Sequence, residues 1–269
     1  MRFSVLLSLY YKENPTFLRQ SLGSVFCQTI PPDEVILVED GELVPELYKV
    51  VEEFVSRNPN MKRVVLKENR GLGKALNEGL KHCSYDLIAR MDTDDIAKYN
   101  RFEHQVKIFK EHPEIDIVSS WIDEFENDIS NIISVRKLPE SHNEIAKYAR
   151  FRCPVNHPVV MFRKEAVMSA GGYQHFPFFE DYYLWVRMLN SNAKFYNIQK
   201  SLLYFRFSPD MFRRRGGWKY ALLELKFLGK LRNMKFISKS EYLRNVFIRF
   251  AVRVIPIKLR SLVYKKMLR

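Results

Sequence analysis

The first third of the chain alternates short apolar runs with amphipathic segments, and this pattern constrains the fold more than any other feature. Four runs have the length of buried strands: FSVLLSLYY, EVILVEDG, RVVLKEN and YDLIARMD. The segments between them repeat apolar residues at helical spacing, over residues 15–28, 44–57 and 70–83. Strands that alternate with helices predict right-handed crossovers and a mainly parallel sheet. We therefore expect an open α/β sheet flanked by helices.

Composition excludes several other classes. A chain of 269 residues with 46% hydrophobic residues can bury a sizeable core and is not disordered. Its three cysteines, Cys27, Cys83 and Cys153, lie far apart, which argues against a local zinc site or a disulfide framework and favours a reducing cytoplasm. The apolar start MRFSVLLSLYY lacks a small-residue cleavage site, so we interpret it as a strand. No run approaches the roughly 18 apolar residues that a membrane-spanning helix needs.

Charge is distributed unevenly along the chain. The net charge is +13, yet residues 1–199 hold 25 Lys and Arg against 28 Asp and Glu. Residues 200–269 hold 19 against 3. The two parts must meet different surroundings. We predict a near-neutral body over residues 1–206 and a basic helical extension over residues 207–269.

An acidic cluster follows the fourth predicted strand. Ligands of open parallel sheets bind beyond the carboxyl ends of the strands, where this sequence places the loops 8–11, 39–41, 69–71 and 92–95. In the last loop, Asp92 and Asp94 could present carboxylate oxygens to one Mg²⁺ or Mn²⁺, and the open positions of that ion suit a nucleoside diphosphate. The alternative is an ordinary helix start, where acids are common. Its place at a strand end favours the cation site.

Eight motifs follow one another at regular intervals: SVLLSLYYKE, QSLGSVFCQT, EVILVEDG, ENRGLGKALNEGL, ARMDTDDI, NHPVVMFRKEAV, AGGY and FFEDYYLWVRM. In this order they resemble the family 2 glycosyltransferases of bacteria, which have the GT-A fold. More narrowly, the chain is similar to enzymes that assemble capsule, exopolysaccharide and lipopolysaccharide O-chains, amylovoran-type glycosyltransferases among them. The resemblance covers about residues 3–206, which it identifies as the catalytic domain.

The resemblance implies roles for individual residues. It implies that the loop after the first strand and the motif VEDG hold the base of the nucleotide donor. It implies that the acidic pair holds the ribose and a divalent metal, and that the acid in FFEDYY is the catalytic base. The implied donor contacts are Ser8, Tyr10, Asp40 and Asp92, the metal ligands Asp94 and Asp92, and the base Asp181. Gly71 and Lys74, from the motif RGLGK after the third strand, are further candidate donor contacts.

Other candidates have an equally simple structural interpretation. His157 precedes a proline and could contact the diphosphate or the acceptor, or be a buried structural histidine. Glu180 could contact a ligand, although Glu180 and Asp181 could also be acids that favour the dipole of the helix they open. Lys74 could meet phosphate or lie in solvent on the first turns of its helix. The triple arginine that includes Arg213 and Arg214 suits a lipid diphosphate or an anionic head group.

The basic extension predicts a surface partner. Residues 242–269 hold eight basic residues and no acid, interleaved with apolar ones, which is typical of a helix that lies in an anionic membrane interface. We expect the preceding helix to pack on the body through residues that include Trp218, Leu222 and Phe227. The alternatives are a tail that only packs on the body, or nucleic-acid binding. No helix-turn-helix, zinc-finger or RNP pattern supports the latter, so no nucleic-acid partner is expected.

Together these features predict an inverting, metal-dependent glycosyltransferase. We expect a nucleotide-sugar donor, a UDP-sugar before others, and a lipid-linked glycan acceptor in bacterial surface polysaccharide assembly. The cofactor would be Mn²⁺ or Mg²⁺, and the location the cytoplasmic, inner face of the cell membrane. The alternative from another class is a non-catalytic protein that binds a nucleotide-sugar or a nucleic acid and carries a basic tail.

Overall fold

The first half of the fold is a parallel sheet with its crossover helices. The computed structural model describes residues 1–208 and 217–254. Its first strands are β1 (Phe3–Leu9), β2 (Glu34–Asp40), β3 (Met61–Leu66) and β4 (Leu87–Met91), and the helices between them are α1 (Pro15–Phe26), α2 (Pro45–Arg57) and α3 (Leu72–His82). The strands pair in the order β3-β2-β1-β4, all parallel. The predicted alternation and the parallel pairing are confirmed.

The second half adds antiparallel strands to this sheet. They are β5 (Ile96–Ala97), β6 (Ile117–Phe125), β7 (Ile132–Arg136), β8 (Met161–Arg163) and β9 (Phe195–Arg206). β8 lies antiparallel between β4 and β6, while β6 and β9 are parallel. β5 pairs with β9, and β7 with β6. A strand as short as β8 carries no periodic signal, so the sequence did not predict it. The pairing brings the end of β9 beside the acidic loop that joins β4 to β5.

Helices cover both faces of the sheet. After α3 they are α4 (Arg101–Glu111), α5 (His142–Tyr148), α6 (Lys164–Ser169) and α7 (Glu180–Asn190), with a 3₁₀ turn at His157–Val159. Successive residues of β1 point to opposite faces: Val5 and Leu7 pack in the core that includes residues of α1, α2 and α4, and Leu6 packs in the core that includes residues of α3, α6 and α7. Burial on both faces explains why this strand is apolar at consecutive positions.

Two further helices, α8 (Gly217–Asn233) and α9 (Lys239–Val254), pack against α7. The ring of Phe227 in α8 stacks on Phe179 with centroids 4.6 Å apart. Trp218 and Leu222 do not pack as expected: they are 62% and 53% exposed. They lie on the side of α8 opposite Phe227, because roughly half a turn of rotation about the helix axis separates their directions from that of Phe227. No helix in the described parts of the chain is long and apolar enough to cross a membrane.

Candidate active site

The acidic loop between β4 and β5 brings three carboxylates together. One oxygen from each of Asp92, Asp94 and Asp95 lies within 4.8 Å of the others. Asp92 pairs with Arg90, two residues before it on the buried strand, through two hydrogen bonds, of which Nη1 to Oδ2 measures 2.8 Å. Alternate residues of a strand share a face, so this spacing allows the guanidinium to reach the carboxylate. Asp95, which the sequence prediction did not use, belongs to the same group.

Burial and mutual repulsion raise the pKa values of two carboxyl groups in this cluster. Burial raises the pKa of Asp94 to about 7, with repulsion from Asp92 and Glu13 adding to it. Burial and the neighbouring carboxylates raise the pKa of Asp95 well above its ordinary value. Within the described residues, Asp95 Oδ2 is buried and has no hydrogen-bond partner. An all-oxygen donor set that contains a buried oxygen without a hydrogen-bond partner fits a hard divalent cation.

Arg206, the last residue of β9, supports the acidic loop. Its backbone N–H donates to Asp95 Oδ1 (2.8 Å), its Nε donates to the carbonyl of Asp94 (2.9 Å), and its Nη2 donates to Gln20 (2.6 Å). The guanidinium lies 3.8 Å from the ring centroid of Phe17. The sequence prediction missed Arg206, because it is 111 residues away from Asp95 along the chain.

Asp40 organises the neighbouring loop at the end of β2. Its Oδ1 and Oδ2 accept hydrogen bonds from the backbone N–H groups of Arg70 (2.7 Å) and Gly71 (2.9 Å). Gly41 has a φ of +87°, and a Cβ there would stand 2.7 Å from the backbone nitrogen of Asn69. Asp40 is therefore a buried anchor for the loop 69–71. Its contact with the donor's base stays a prediction.

The other predicted donor contacts surround the same strand ends. Ser8, half-buried at the end of β1, offers its carbonyl to Thr93 Oγ1 at 3.5 Å. Thr93, from the acidic loop, also donates to Glu13 Oε2 at 2.8 Å. Tyr10 is 40% exposed, and Lys74 is exposed on the first turn of α3. The loops after β1 and β4 are thus linked to each other, and those after β2 and β3 likewise.

A cavity of about 970 Å³ lies next to the acidic loop and brings the two predicted catalytic regions together. Its wall includes Arg90 and Asp92 from the end of β4. It also includes Glu180 and Asp181 from the start of α7. Residues of α8 and α9 complete the wall. Its volume is at the upper end of the range that small-molecule sites occupy, roughly 300–1,000 Å³.

Asp181 sits in the first turn of α7 with a thiol as neighbour. Cys153 Sγ lies 3.4 Å from the carbonyl oxygen of Val155 and 3.7 Å from Asp181 Oδ2, so its single S–H can donate to either acceptor. Burial, followed by the charge of Asp181, raises the pKa of the Cys153 thiol, which keeps it protonated and able to donate. Burial raises the pKa of Glu180, and repulsion from Asp181 adds to it. Burial and the neighbouring carboxylate therefore disfavour the ionised form of Glu180.

His157 is buried in the wall of the same cavity. Its Nε2 lies 2.9 Å from the hydroxyl of Tyr173, and its ring contacts that of Trp185 edge-on with centroids 5.7 Å apart. Burial lowers the pKa of His157 well below its ordinary value, with the charge of Arg90 adding to it, so the ring is neutral. His157 fixes Tyr173; its contact with a ligand stays a prediction. Arg213 and Arg214 lie outside the described residues.

Comparison with known proteins identifies the family. Residues 4–168 match the family Glycosyl transferase family 2. The chain is 40% identical over 268 residues to UDP-Gal:alpha-D-GlcNAc-diphosphoundecaprenol beta-1,3-galactosyltransferase of Escherichia coli, covering 100% of this chain and 97% of that protein. It is 39% identical over 267 residues to the amylovoran biosynthesis glycosyltransferase AmsE of Erwinia amylovora, covering 98% of each.

The fold agrees with this assignment. The mannosyltransferase PcManGT of Pyrobaculum calidifontis, solved in complex with GDP-Man and Mn²⁺, resembles the chain with a TM-score of 0.67 at 15% sequence identity, covering 96% of this chain and 71% of its own. At this identity the likeness concerns the fold. The predicted GT-A fold and the predicted resemblance are both confirmed. The chain belongs to Glycosyl transferase family 2 and is a glycosyltransferase with the GT-A fold.

Proposed function

We propose that the enzyme transfers a hexose from a UDP-sugar to a glycan acceptor carried on a lipid diphosphate, in the assembly of a bacterial surface polysaccharide. One observation carries the proposal: Asp92 of the acidic loop and Asp181 of α7 line the same cavity. The names of two relatives that match nearly the whole chain support the substrate classes. One uses UDP-Gal and a GlcNAc-diphosphoundecaprenol acceptor, and the other serves amylovoran biosynthesis.

The acidic loop would hold a divalent metal, Mn²⁺ or Mg²⁺. The candidate ligands are Asp94, Asp92 and Asp95, and the support is their convergence and the unpartnered buried oxygen of Asp95. The fold neighbour that was solved with GDP-Man and Mn²⁺ adds support. A bound divalent cation supplies positive charge to the diphosphate of a donor. Arg90 and Arg206 would keep the loop in place for this role.

Asp181 would act as the general base. It would take the proton of an acceptor hydroxyl while that oxygen attacks the anomeric carbon of the donor sugar, and UDP would leave from the opposite face. One bond forms as the other breaks, so the anomeric configuration inverts. Asp181 lies in the first turn of α7 and lines the cavity, which places its carboxylate where an acceptor hydroxyl could reach it.

The enzyme would act at the inner face of the cell membrane, on a lipid-linked acceptor. The hairpin of α8 and α9 supports this location because it exposes large apolar side chains, with Trp218 and Phe247 being 62% and 77% exposed. Such a patch marks an interaction surface. The excess of 19 basic over 3 acidic residues beyond residue 199 makes an anionic bilayer the matching partner. The division into a catalytic domain over 1–206 and a membrane-associating tail over 207–269 is part of the proposal.

A donor panel tests the proposed function. Purified enzyme is incubated with UDP-, GDP- and dTDP-sugars in Mn²⁺, Mg²⁺ or EDTA, and the released nucleoside diphosphate is measured. We expect release from a UDP-hexose that requires metal and that Asp94→Asn abolishes. Metal-independent release would contradict the metal site. Preference for GDP- or dTDP-sugars would contradict the proposed donor.

A further inference from the structure

Four basic residues that the site predictions did not use line the cavity. Arg136 and Lys137 come from the end of β7, Arg152 from the segment before the 3₁₀ turn, and Arg244 from α9. None of these four belongs to the strand-end loops expected to hold the donor. They lie far apart in the sequence, and the fold brings them to the cavity that also contains Asp181.

Three of these cations lack a carboxylate partner. The other two arginines of the wall are paired: Arg90 with Asp92, and Arg249 with Glu224 at 2.8 Å. In the described parts of the chain, no carboxylate lies within ion-pairing distance of three wall cations, Arg136, Lys137 and Arg244. A ligand could therefore neutralise the charge of these three cations, although the wall also contains carboxylates.

Aromatic rings orient two of the cations. The Lys137 ammonium lies 4.9 Å from the ring centroid of Trp121, and the Arg244 guanidinium 3.9 Å from that of Phe151. Contact with a ring limits the freedom of a long side chain and so lowers the entropy lost when it binds an anion. Arg136 and Asp181 both line this cavity. The basic residues therefore share one cavity with the proposed base.

We propose that Arg136, Lys137, Arg152 and Arg244 bind the diphosphate of the acceptor. This inference rests on the proposed function, in which the acceptor sugar is attached to a lipid through a diphosphate. In an acceptor like that of the Escherichia coli relative, the accepting sugar itself bears the diphosphate, which then lies about one sugar ring away from the hydroxyl that reacts at Asp181. Guanidinium and ammonium groups in the wall of the same cavity suit its oxygens. The donor's diphosphate would instead lie at the divalent metal that the acidic loop would hold.

A direct binding measurement tests this inference without any sugar transfer. The probe is farnesyl diphosphate, titrated by calorimetry in EDTA so that the acidic loop holds no metal. We expect the double variant Arg136→Gln, Arg244→Gln to weaken binding about tenfold or more, the size usual for lost charge-assisted hydrogen bonds. Lys147→Gln is the control, because Lys147 is exposed on α5 and is not part of the cavity wall. Equal binding by wild type and the double variant would overturn the inference.

A second titration identifies the source of the phosphate. Short-chain phosphatidylglycerol presents an anionic phosphate as part of a lipid head group. We expect it to bind more weakly than farnesyl diphosphate and to be insensitive to the double variant. If it bound equally well and lost affinity in the same variant, the wall would bind head groups and the inference would be wrong.

Kinetics provide the functional arm. The KM for a sugar on a diphosphate-linked alkyl chain should rise at least about tenfold in the double variant, whereas the KM for the donor should not change. For the same sugar on a neutral alkyl chain, wild type and variant should behave alike. Arg244→Lys, which keeps the charge, should restore part of the loss. Equal losses on both acceptors would indicate a structural role and overturn the inference. A protein that binds farnesyl diphosphate as expected but transfers no hexose would contradict the proposed function and leave the binding site standing.

Discussion

The guanidinium of Arg206 donates a hydrogen bond from Nε to the backbone carbonyl of Asp94 at 2.9 Å. The last residue of β9 thereby holds the loop whose carboxylates form the proposed metal site. Arg206 acts on that site through the loop's backbone, so we regard it as a positioning residue.

Replacing Arg206 with Met should weaken the metal site. Residues that support metal ligands typically cost 10–100-fold in metal affinity when changed, so we expect the Mn²⁺ concentration for half-maximal activity to rise by about that factor. Arg19→Met is the control, since Arg19 is an exposed arginine of α1 that pairs with Glu53. An unchanged Mn²⁺ dependence in a variant that remains folded would contradict this role.

Replacing Asp181 with Asn should stop transfer and spare donor binding. General-base assistance is worth about 10²–10⁴ in rate, so kcat should fall by about that factor while the Kd for UDP changes little. The matched control is Glu180→Gln, which alters the neighbouring acid in the same first turn. If Glu180→Gln lost turnover and Asp181→Asn kept it, the base would be Glu180.

Replacing Gly41 with Ala should destabilise the loop that Asp40 holds. The backbone at this position has a φ of +87°, and an added Cβ would stand 2.7 Å from the backbone nitrogen of Asn69. We therefore expect a loss of about 1–3 kcal/mol in the free energy of unfolding. Gly229→Ala in α8 is the control, because a Cβ there meets no atom within 4 Å. It should stabilise by about 0.5–1 kcal/mol. Urea unfolding measures both, and equal effects would contradict the argument.

Replacing Trp218 and Phe247 with Ser should weaken binding to anionic vesicles. Both side chains are mostly exposed, so the fold should tolerate the changes while the apolar contact with lipid is lost. The control is Ile132→Ser with Ile133→Ser on β7, which are 37% and 41% exposed. Flotation compares the proteins on anionic and neutral vesicles. If the Trp218 and Phe247 variant floated as well as wild type, the hairpin would not be the membrane surface.

Glu34 should make stability depend on pH under acidic conditions. Burial raises the pKa of Glu34, but hydrogen bonds from Lys62, Ser84 and Ser4 outweigh it and lower the pKa to about 2. Because the folded pKa lies below its ordinary value of 4.5, this stabilisation is present above pH 4.5 and is lost as the pH falls towards about 2.

The Glu34→Gln variant tests this linkage. Between pH 5 and pH 2, its free energy of unfolding should fall less steeply than that of wild type. Glu126→Gln, at an exposed position after β6, should follow the wild-type curve. Parallel curves for wild type and Glu34→Gln would contradict the assignment.

Long periodic elements could be predicted from the sequence, and their ends less well. The helix expected over residues 15–28 ends at Phe26, and the strand expected over residues 85–92 spans Leu87–Met91. Periodicity reports which residues are buried, whereas an end depends on local backbone hydrogen bonds. The pair Arg90 and Asp92 also had a signal: an arginine inside an apolar run, two positions before an acid that directly follows the strand.

By itself, the sequence determined the alternation of strands and helices, the family, and the strand-end position of Asp92, Asp94 and Asp40. These features depend on residues that are neighbours in the chain. Only the tertiary structure decided that Arg206 supports Asp94, that Cys153 contacts Asp181, and that Arg136 and Arg244 share one cavity with the base. Such contacts join residues far apart in sequence: the pairing of β5 with β9 brings Arg206 to Asp94, and the packing of α9 near α7 brings Arg244 to the cavity. Local periodicity carries no information about them, because burial and charge balance at a site depend on what the rest of the chain places there.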